Sequence, residues 1–358
     1  MFYRNITPRL CEALGDSPVV LVVGARQTGK TTLVQGLAEA ERRAPYLTLD
    51  DSSVLSAATA DPGGFLSGLS GPVIIDEVQR APELFPAIKA AMDRDHKPGR
   101  FLLTGSAYVL VLPKLSESLA GRMEVLTLWP LSQSEIEGGE GSSGSLVDRL
   151  FARDLPKAPL PVVPRDELLS RLLADGYPEP LARKKEARRR AWFASHLTTI
   201  LQRDVRDITN IEGLNRLPRL LSLLAARTAS LLNVSDISTA TGIPYATLHR
   251  YMAVLEATFL IQTLPAWSNN LSTRLIKTPK LLVNDTGLAA SLRDSMPAAS
   301  WMGTRSSGRC WRTSWRWSCG RTLGGATRRP RFATTAPTPA RKWTSSWKAP
   351  AGGSSGWR

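Results

Sequence analysis

Gly24-Ala25-Arg26-Gln27-Thr28-Gly29-Lys30-Thr31 fits the pattern G-x-x-x-x-G-K-[ST], and its setting decides the fold. Ahead of it, residues 18–23 form a short β-branched run of the buried-strand type; behind it a helix is predicted over residues 30–41. A strand, a glycine-rich turn and a helix start, in that order, bend main-chain N–H groups around the phosphates of a nucleotide. The unpaired amides and dipole of the helix start favour the anion. Residues 24 to 32, ending in Thr31 and Thr32, are therefore the expected phosphate-binding segment. Lys30 would reach the β- and γ-phosphates as a mobile charge, and the Thr31 hydroxyl would ligate Mg²⁺. With Gly at about 7% of residues, chance yields such a string on the order of once in a hundred chains of this length, so coincidence is set aside.

The alternation continues outward from the loop. Strands are predicted over residues 46–49, 73–76, 101–104 and 124–128, separated by helical stretches such as 82–92, where Leu84, Phe85, Ile88 and Ala91 recur at helical spacing. The expected fold class is α/β, a layered parallel sheet. Val73-Ile74-Ile75-Asp76-Glu77 is an apolar strand ending in two carboxylates, about 45 residues after the glycines. Strand C-termini are where a ligand crevice opens in such sheets. Asp76 would hold Mg²⁺ through water, while Glu77 polarises an attacking water as general base. The fourth strand runs into Thr104-Gly105-Ser106, whose hydroxyls either sense the γ-phosphate or, for Ser106, cap the next helix. Arg122, before the fifth strand, is either a stabiliser of phosphoryl charge, in cis or from a neighbouring subunit, or an ordinary surface arginine.

The rest of the chain has a different character. Gly138-Gly139-Glu140-Gly141-Ser142-Ser143-Gly144-Ser145 and four prolines by residue 164 mark a linker. The expected division is an ATPase domain over 1–137, a linker over 138–165, a mainly helical, winged-helix-like domain over 166–295 and a tail over 296–358. Within the helical part, residues 234–244 and 245–251 read as helix, glycine turn, helix. The second helix would present Tyr245, Thr247, His249 and Arg250 outward, to DNA or to a protein, with Leu248, Tyr251, Met252 and Leu255 inward. Residues 277–283 would form a strand beside it as a wing. Residues 183–190 hold six basic side chains, either a solvated helical surface or a phosphate contact.

Net charge is +15, but residues 301–358 carry 12 Lys plus Arg and no acid, so residues 1–300 hold 34 bases against 31 acids. The body of the chain is thus nearly neutral, at +3. The same tail has seven of the ten Trp, a single Leu and no Ile or Val, a composition that builds no core. It fits a basic disordered tail poorly, because disordered segments are depleted in aromatics. A shifted reading frame fits better: read one base out of register, Cys310 to Gly320 yields L-L-E-N-F-V-A-M-E-L, and Lys342 to Ala349 yields E-V-D-I-V-L-E-G. Three scattered Cys and three His without ligand spacing give no disulfide framework, zinc site or triad. No apolar run approaches the roughly 20 residues of a membrane span, and no hydrophobic leader opens the chain, so a cytoplasmic location is expected.

At these motifs the chain resembles a prokaryotic AAA-type ATPase family whose ATPase module is followed by a conserved domain of unknown function. The resemblance rests on the loop at residues 24–33, Asp76-Glu77-Val78-Gln79, Leu103-Thr104-Gly105-Ser106 and Leu119-Ala120-Gly121-Arg122. It continues through Asp175-Gly176-Tyr177-Pro178-Glu179, Gln202-Arg203-Asp204-Val205 and residues 277–288. It implies the additional-strand, catalytic-Glu sheet order, with the strand before Thr104 lying between the loop strand and the Asp76 strand, and it supports Glu77 as the catalytic carboxylate. It also implies ATP and Mg²⁺ as cofactors, and a restriction-endonuclease-like ending whose patterns match the shifted readings. Three activities are open from the residues: a Mg-dependent ATPase acting as a conformational switch, alone or as a homo-oligomer; an ATP-regulated DNA-binding protein; and a phosphotransferase, which the Asp76-Glu77 pair disfavours because water activation suits that Glu.

Overall fold

Four valines and a leucine, Val19–Val23, make β1, and all five are buried. A strand apolar at every position has both faces covered, the situation of a parallel sheet between helices. The computed structural model describes residues 2–39, 44–106, 119, 121–138, 151–153, 162–205, 214–293, 333–334 and 345–346. In it β1 is joined by β2 (Tyr46–Thr48), β3 (Val73–Asp76), β4 (Phe101–Gly105) and β5 (Met123–Thr127). Their order across the sheet is β2-β3-β4-β1-β5, and every pairing is parallel. β4 thus separates the loop strand from the Asp76 strand, as the resemblance implies.

Helix α1 (Thr7–Asp16) and helix α2 (Lys30–Leu37) cover one face. Leu10 and Leu14 of α1 and Leu33, Val34 and Leu37 of α2 pack with Val20, Val22, Ile74, Leu102 and Leu126 of the sheet. The strand residues in that cluster alternate, as period-two side chains must, and the intervening Leu21, Ile75 and Leu103 are also fully buried. Helices α3 (Ser52–Ala60), α4 (Pro62–Ser67) and α5 (Leu84–Arg94) complete the unit. α5 buries Leu84, Phe85, Ile88, Ala91 and Met92, the stripe legible in the sequence.

Contacts divide the chain into two compact units: Ile6–Pro130 with Arg203–Asn210, and Met1–Asn5 with Leu131–Gln202 and Ile211–Arg358. The described part of the second unit is mainly helical, with Arg165–Ala174, Glu186–Thr199, Leu217–Ala226 and Tyr245–Ala257 its longest helices. An antiparallel pair, β6 (Ile261–Leu264) with β7 (Lys280–Val283), packs among them. Asp285 caps the helix Thr286–Ser291 by accepting from Leu288 N at 2.8 Å, and its other oxygen accepts from Gly176 N at 3.2 Å. Tyr177, Trp192, Phe193 and His196 form a ring cluster, with Trp192 stacked on His196 at 4.6 Å. Of the expected linker, residues 139–150 and 154–161 lie outside the described residues, as does nearly all of the Trp-rich tail with its frame shift.

Leu103 sits at the centre of the sheet with no exposed surface. Leu103→Ala should lower the stability of the full chain by about 2–5 kcal/mol, read as a fall in the denaturant midpoint with an unchanged slope.

Candidate phosphate-loop site

All five parallel strands run toward one edge, so the segments leaving their C-termini converge there. Val23, Gly105 and Thr127 are neighbours across that edge, and Asp76 ends β3 beside Thr48. Residues 24–29 therefore curl over the edge between β1 and α2. Gly24 is forced by close approach, since a Cβ there would lie 2.2 Å from the carbonyl oxygen of Leu128. Gly29 is forced by its left-handed backbone, φ +92°, which starts α2. Gln27 also has φ +61° and is exposed, while Thr28 is fully buried and its hydroxyl donates to Ala25 O at 2.9 Å.

Lys30 is the centre of the loop. Only 5% of it is exposed, and its ammonium donates to the carbonyls of Gly24 and Ala25, both at 3.0 Å. An ammonium has three donors, so two hold the loop's curvature and one remains for a phosphate oxygen. Burial pushes the Lys30 ammonium below the usual lysine range, and the neighbouring carboxylates Glu77 and Asp76 oppose that shift. An incoming polyanion would stabilise the charged form further.

Asp76, 3% exposed, accepts from Thr31 Oγ1 at 3.0 Å and Tyr46 OH at 2.7 Å on one oxygen, and from Thr104 Oγ1 on the other. Burial, and then the bond to Asp76, hold the Tyr46 phenol above its usual range, so it stays a donor. Among the described residues no three His, Cys, Asp or Glu could cage a metal alone. Mg²⁺ needs no such cage, because it is commonly held by one or two carboxylates, waters and phosphate oxygens. The hard-oxygen pair of Thr31 and Asp76 fits that ion.

Glu77 leaves the strand with φ +60°, a left-handed turn that a non-glycine residue rarely adopts. Its N–H donates to Thr104 Oγ1 at 3.1 Å, and its carboxylate accepts from the Gln79 amide, whose oxygen in turn accepts from Ser106 N at 3.3 Å. Thr104 thus touches the Asp76-Glu77 corner directly, and Ser106 reaches it through Gln79. A cavity of about 330 Å³ opens beside this corner, lined among others by Arg26, Glu77, Gln79, Ser106, Arg203 and Asp204.

Arg122 is elsewhere. It precedes Met123, which pairs with Val19 at the opposite end of the sheet, and its guanidinium pairs with Asp93 at 2.5 Å in the open. About 13 Å of strand separates it from the phosphate-loop edge, so the cis role expected of Arg122 is not available within one chain. Tyr46, Gln79, Arg203 and Asp204 are neighbours of the site that the sequence reading did not select. In the second unit Tyr245, His249 and Arg250 are exposed and Thr247 half-buried, while Leu248, Tyr251, Met252 and Leu255 are buried.

Residues 16–137 match the family model described as an AAA domain, and residues 165–298 match that of a domain of unknown function, DUF8612. Uncharacterized protein Rv2008c from Mycobacterium tuberculosis is 32% identical over 311 residues, which cover 84% of this chain and 64% of that protein. Uncharacterized protein Mb2031c from Mycobacterium bovis matches to the same extent. The chain thus spans a little under two thirds of the length of these relatives. Among solved structures it is similar to the Thermotoga maritima RuvB Holliday junction branch migration motor, with a TM-score of 0.33 and 17% identity over 73% of this chain and 89% of that one. AMPPCP-bound DnaA from Aquifex aeolicus gives a TM-score of 0.33 and 14% identity over 70% of this chain and 85% of that one.

Two outcomes follow from the loop's geometry. Gly24→Ala should destabilise the chain by about 1–3 kcal/mol in denaturant unfolding, because the clash is with backbone that cannot rotate away. Nucleotide affinity, read by calorimetric titration, should fall as pH rises through the depressed Lys30 pKa, at a pH below the ordinary value of 10.5. A profile flat up to 10.5 would contradict the assignment.

Proposed function

We infer, for a chain whose residues 16–137 belong to the AAA domain family and whose residues 165–298 belong to the DUF8612 family of unknown function, that it binds ATP with Mg²⁺ and hydrolyses it. The observation that carries this reading is the buried Lys30 ammonium, clamped to Gly24 and Ala25 and facing the Asp76-Glu77 corner. The amides of residues 24 to 32 cradle the α- and β-phosphates, and Lys30 spans the β- and γ-phosphates. Thr31 and, through water, Asp76 would hold Mg²⁺, which when bound would neutralise negative charge on the nucleotide phosphates. Glu77 takes the proton of the attacking water, and Thr104 fixes the Glu77 backbone so that its carboxylate meets the cavity. Ser106, half a turn away through Gln79, responds to the γ-phosphate at the same corner.

Hydrolysis would be coupled to conformational change between the ATPase and helical domains. The reading rests on the chain's path: residues 203–205 belong to the compact unit of the sheet, while Gln202 before them belongs to the other. Any phosphoryl role for Arg122 would then be in a neighbouring copy's site, as in a homo-oligomer.

A second reading, ATP-regulated DNA binding, is favoured by the helix pair Val234–Thr241 and Tyr245–Ala257, joined through Gly242 at φ +67°. Its second helix exposes Tyr245, His249 and Arg250 along one side. Among the described residues no helix is long and apolar enough to cross a membrane.

Phosphate release from ATP with no added acceptor is the expected activity, and it separates hydrolysis from phosphotransfer. Lys30→Ala should abolish ATP binding, whereas Glu77→Gln should keep binding within about threefold while kcat falls about 100-fold or more. Equal binding by Lys30→Ala and the parent chain would end the assignment. For the second reading, duplex DNA affinity should fall steeply with added salt, and Arg250→Ala should weaken it. A salt-insensitive or absent interaction removes that reading.

A further inference from the structure

Arg26, third residue of the phosphate loop, is held by a carboxylate 178 positions later in the chain. Its Nε donates to both oxygens of Asp204, at 2.6 and 2.8 Å. The Asp204 side chain is 10% exposed and that of Arg26 25%, so the pair is sheltered from the screening that makes surface ion pairs weak. Asp204 closes a π-helical turn, Ile200–Asp204, in the segment that joins the compact unit of the sheet. The contact is therefore internal to the unit that carries the loop.

The choice of nitrogen matters. A guanidinium has five N–H donors, and Asp204 engages the single one on Nε, leaving the terminal fork of four. That fork is the part of arginine whose geometry matches two oxygens of a phosphate. Arg26 and Asp204 both line the 330 Å³ cavity, and so do Glu77 and Ser106. The other cations of the cavity are differently placed: Arg80 is tied to Asp50, and Arg203 is exposed and has no ion pair among the described residues. Lys30 serves the inner side of the loop, where its ammonium is buried on the loop carbonyls.

We propose that Arg26 grips the γ-phosphate oxygens and that Asp204 is the positioning residue that holds Arg26 ready to do so. This rests on the reading of residues 24 to 32 as an ATP site, and deepens it by assigning the discrimination between ATP and ADP. An arginine already ordered by Asp204 does not have to be immobilised when the nucleotide binds, so less side-chain freedom is lost on binding. ADP, lacking the third phosphate, gains nothing from it.

The test is equilibrium binding of Mg-ADP and of Mg with an ATP analogue carrying a non-hydrolysable β–γ bridge, to the full chain. Arg26→Ala should lose about tenfold or more in affinity for the analogue while ADP affinity stays within about twofold. Asp204→Asn, which keeps the shape but not the charge, should show a smaller loss with the same selectivity, and Asp204→Glu should recover part of it. Adding Asp204→Ala to Arg26→Ala should cost nothing more in analogue affinity, because the two act as one unit. A purely structural ion pair would move the unfolding temperature and weaken both nucleotides alike. That result, or unchanged analogue affinity in Arg26→Ala, overturns the proposal while leaving the ATP site standing. Failure of the parent chain to bind either nucleotide overturns the underlying reading, and the proposal with it.

Discussion

A single buried ammonium organises the loop between β1 and α2. Lys30 is drawn out of water onto the carbonyls of Gly24 and Ala25, and those two bonds tie the start of α2 back to the end of β1. Burying a cation is unfavourable unless it is paired and hydrogen-bonded. Here the compensation comes from two carbonyls at contact distance and from Glu77 and Asp76 nearby. Burial still outweighs these carboxylates, so the Lys30 ammonium stays below the usual lysine range.

The sheet makes that compensation possible. Parallel pairing of β1 with β4, and of β4 with β3, brings the end of the loop strand, the Thr104 hydroxyl and the Asp76 carboxylate to one edge. Asp76 then collects three hydroxyl donors from three elements: Thr31 of α2, Tyr46 of β2 and Thr104 of β4. A carboxylate so tied is fixed in position. Glu77, one residue on, is turned out of the strand by its left-handed backbone and anchored by Thr104. Two adjacent carboxylates are thereby given different surroundings by backbone geometry.

Much of this was legible in the residues, because the loop motif and the buried strands are local signals. β3 was read to the residue, and β1, β4 and β5 to within one residue at either end, since apolar runs and their polar punctuation mark strand limits. The helix predicted over 30–41 ends as a regular α-helix at Leu37, and α5 starts at Leu84 instead of residue 82, the ordinary fraying of helix ends. The strand expected over 277–283 is confined to Lys280–Val283, and its partner β6 went unread because Ile261–Leu264 continues the apolar pattern of the preceding helix. What the sequence could not convey is long-range partnership. Tyr46 looks like any strand aromatic until Asp76 is seen 2.7 Å away, and Asp204 lies in a helical stretch with no local reason to meet Arg26. The choice among the readings of Arg122 was open for the same reason: proximity in sequence to a strand says nothing about which end of the sheet it occupies. Residues 203–205 likewise lie in the compact unit of the sheet although no composition shift in the chain announces it.

The most direct measurement of the central claim is a crystal structure of the full chain with Mg²⁺ and a non-hydrolysable ATP analogue. Lys30 Nζ is expected within about 3 Å of β- and γ-phosphate oxygens and the metal within roughly 2.1 Å of Thr31 Oγ1, with Asp76 reached directly or through one water. A nucleotide bound away from residues 24 to 32, or a metal coordinated without Thr31, would contradict it.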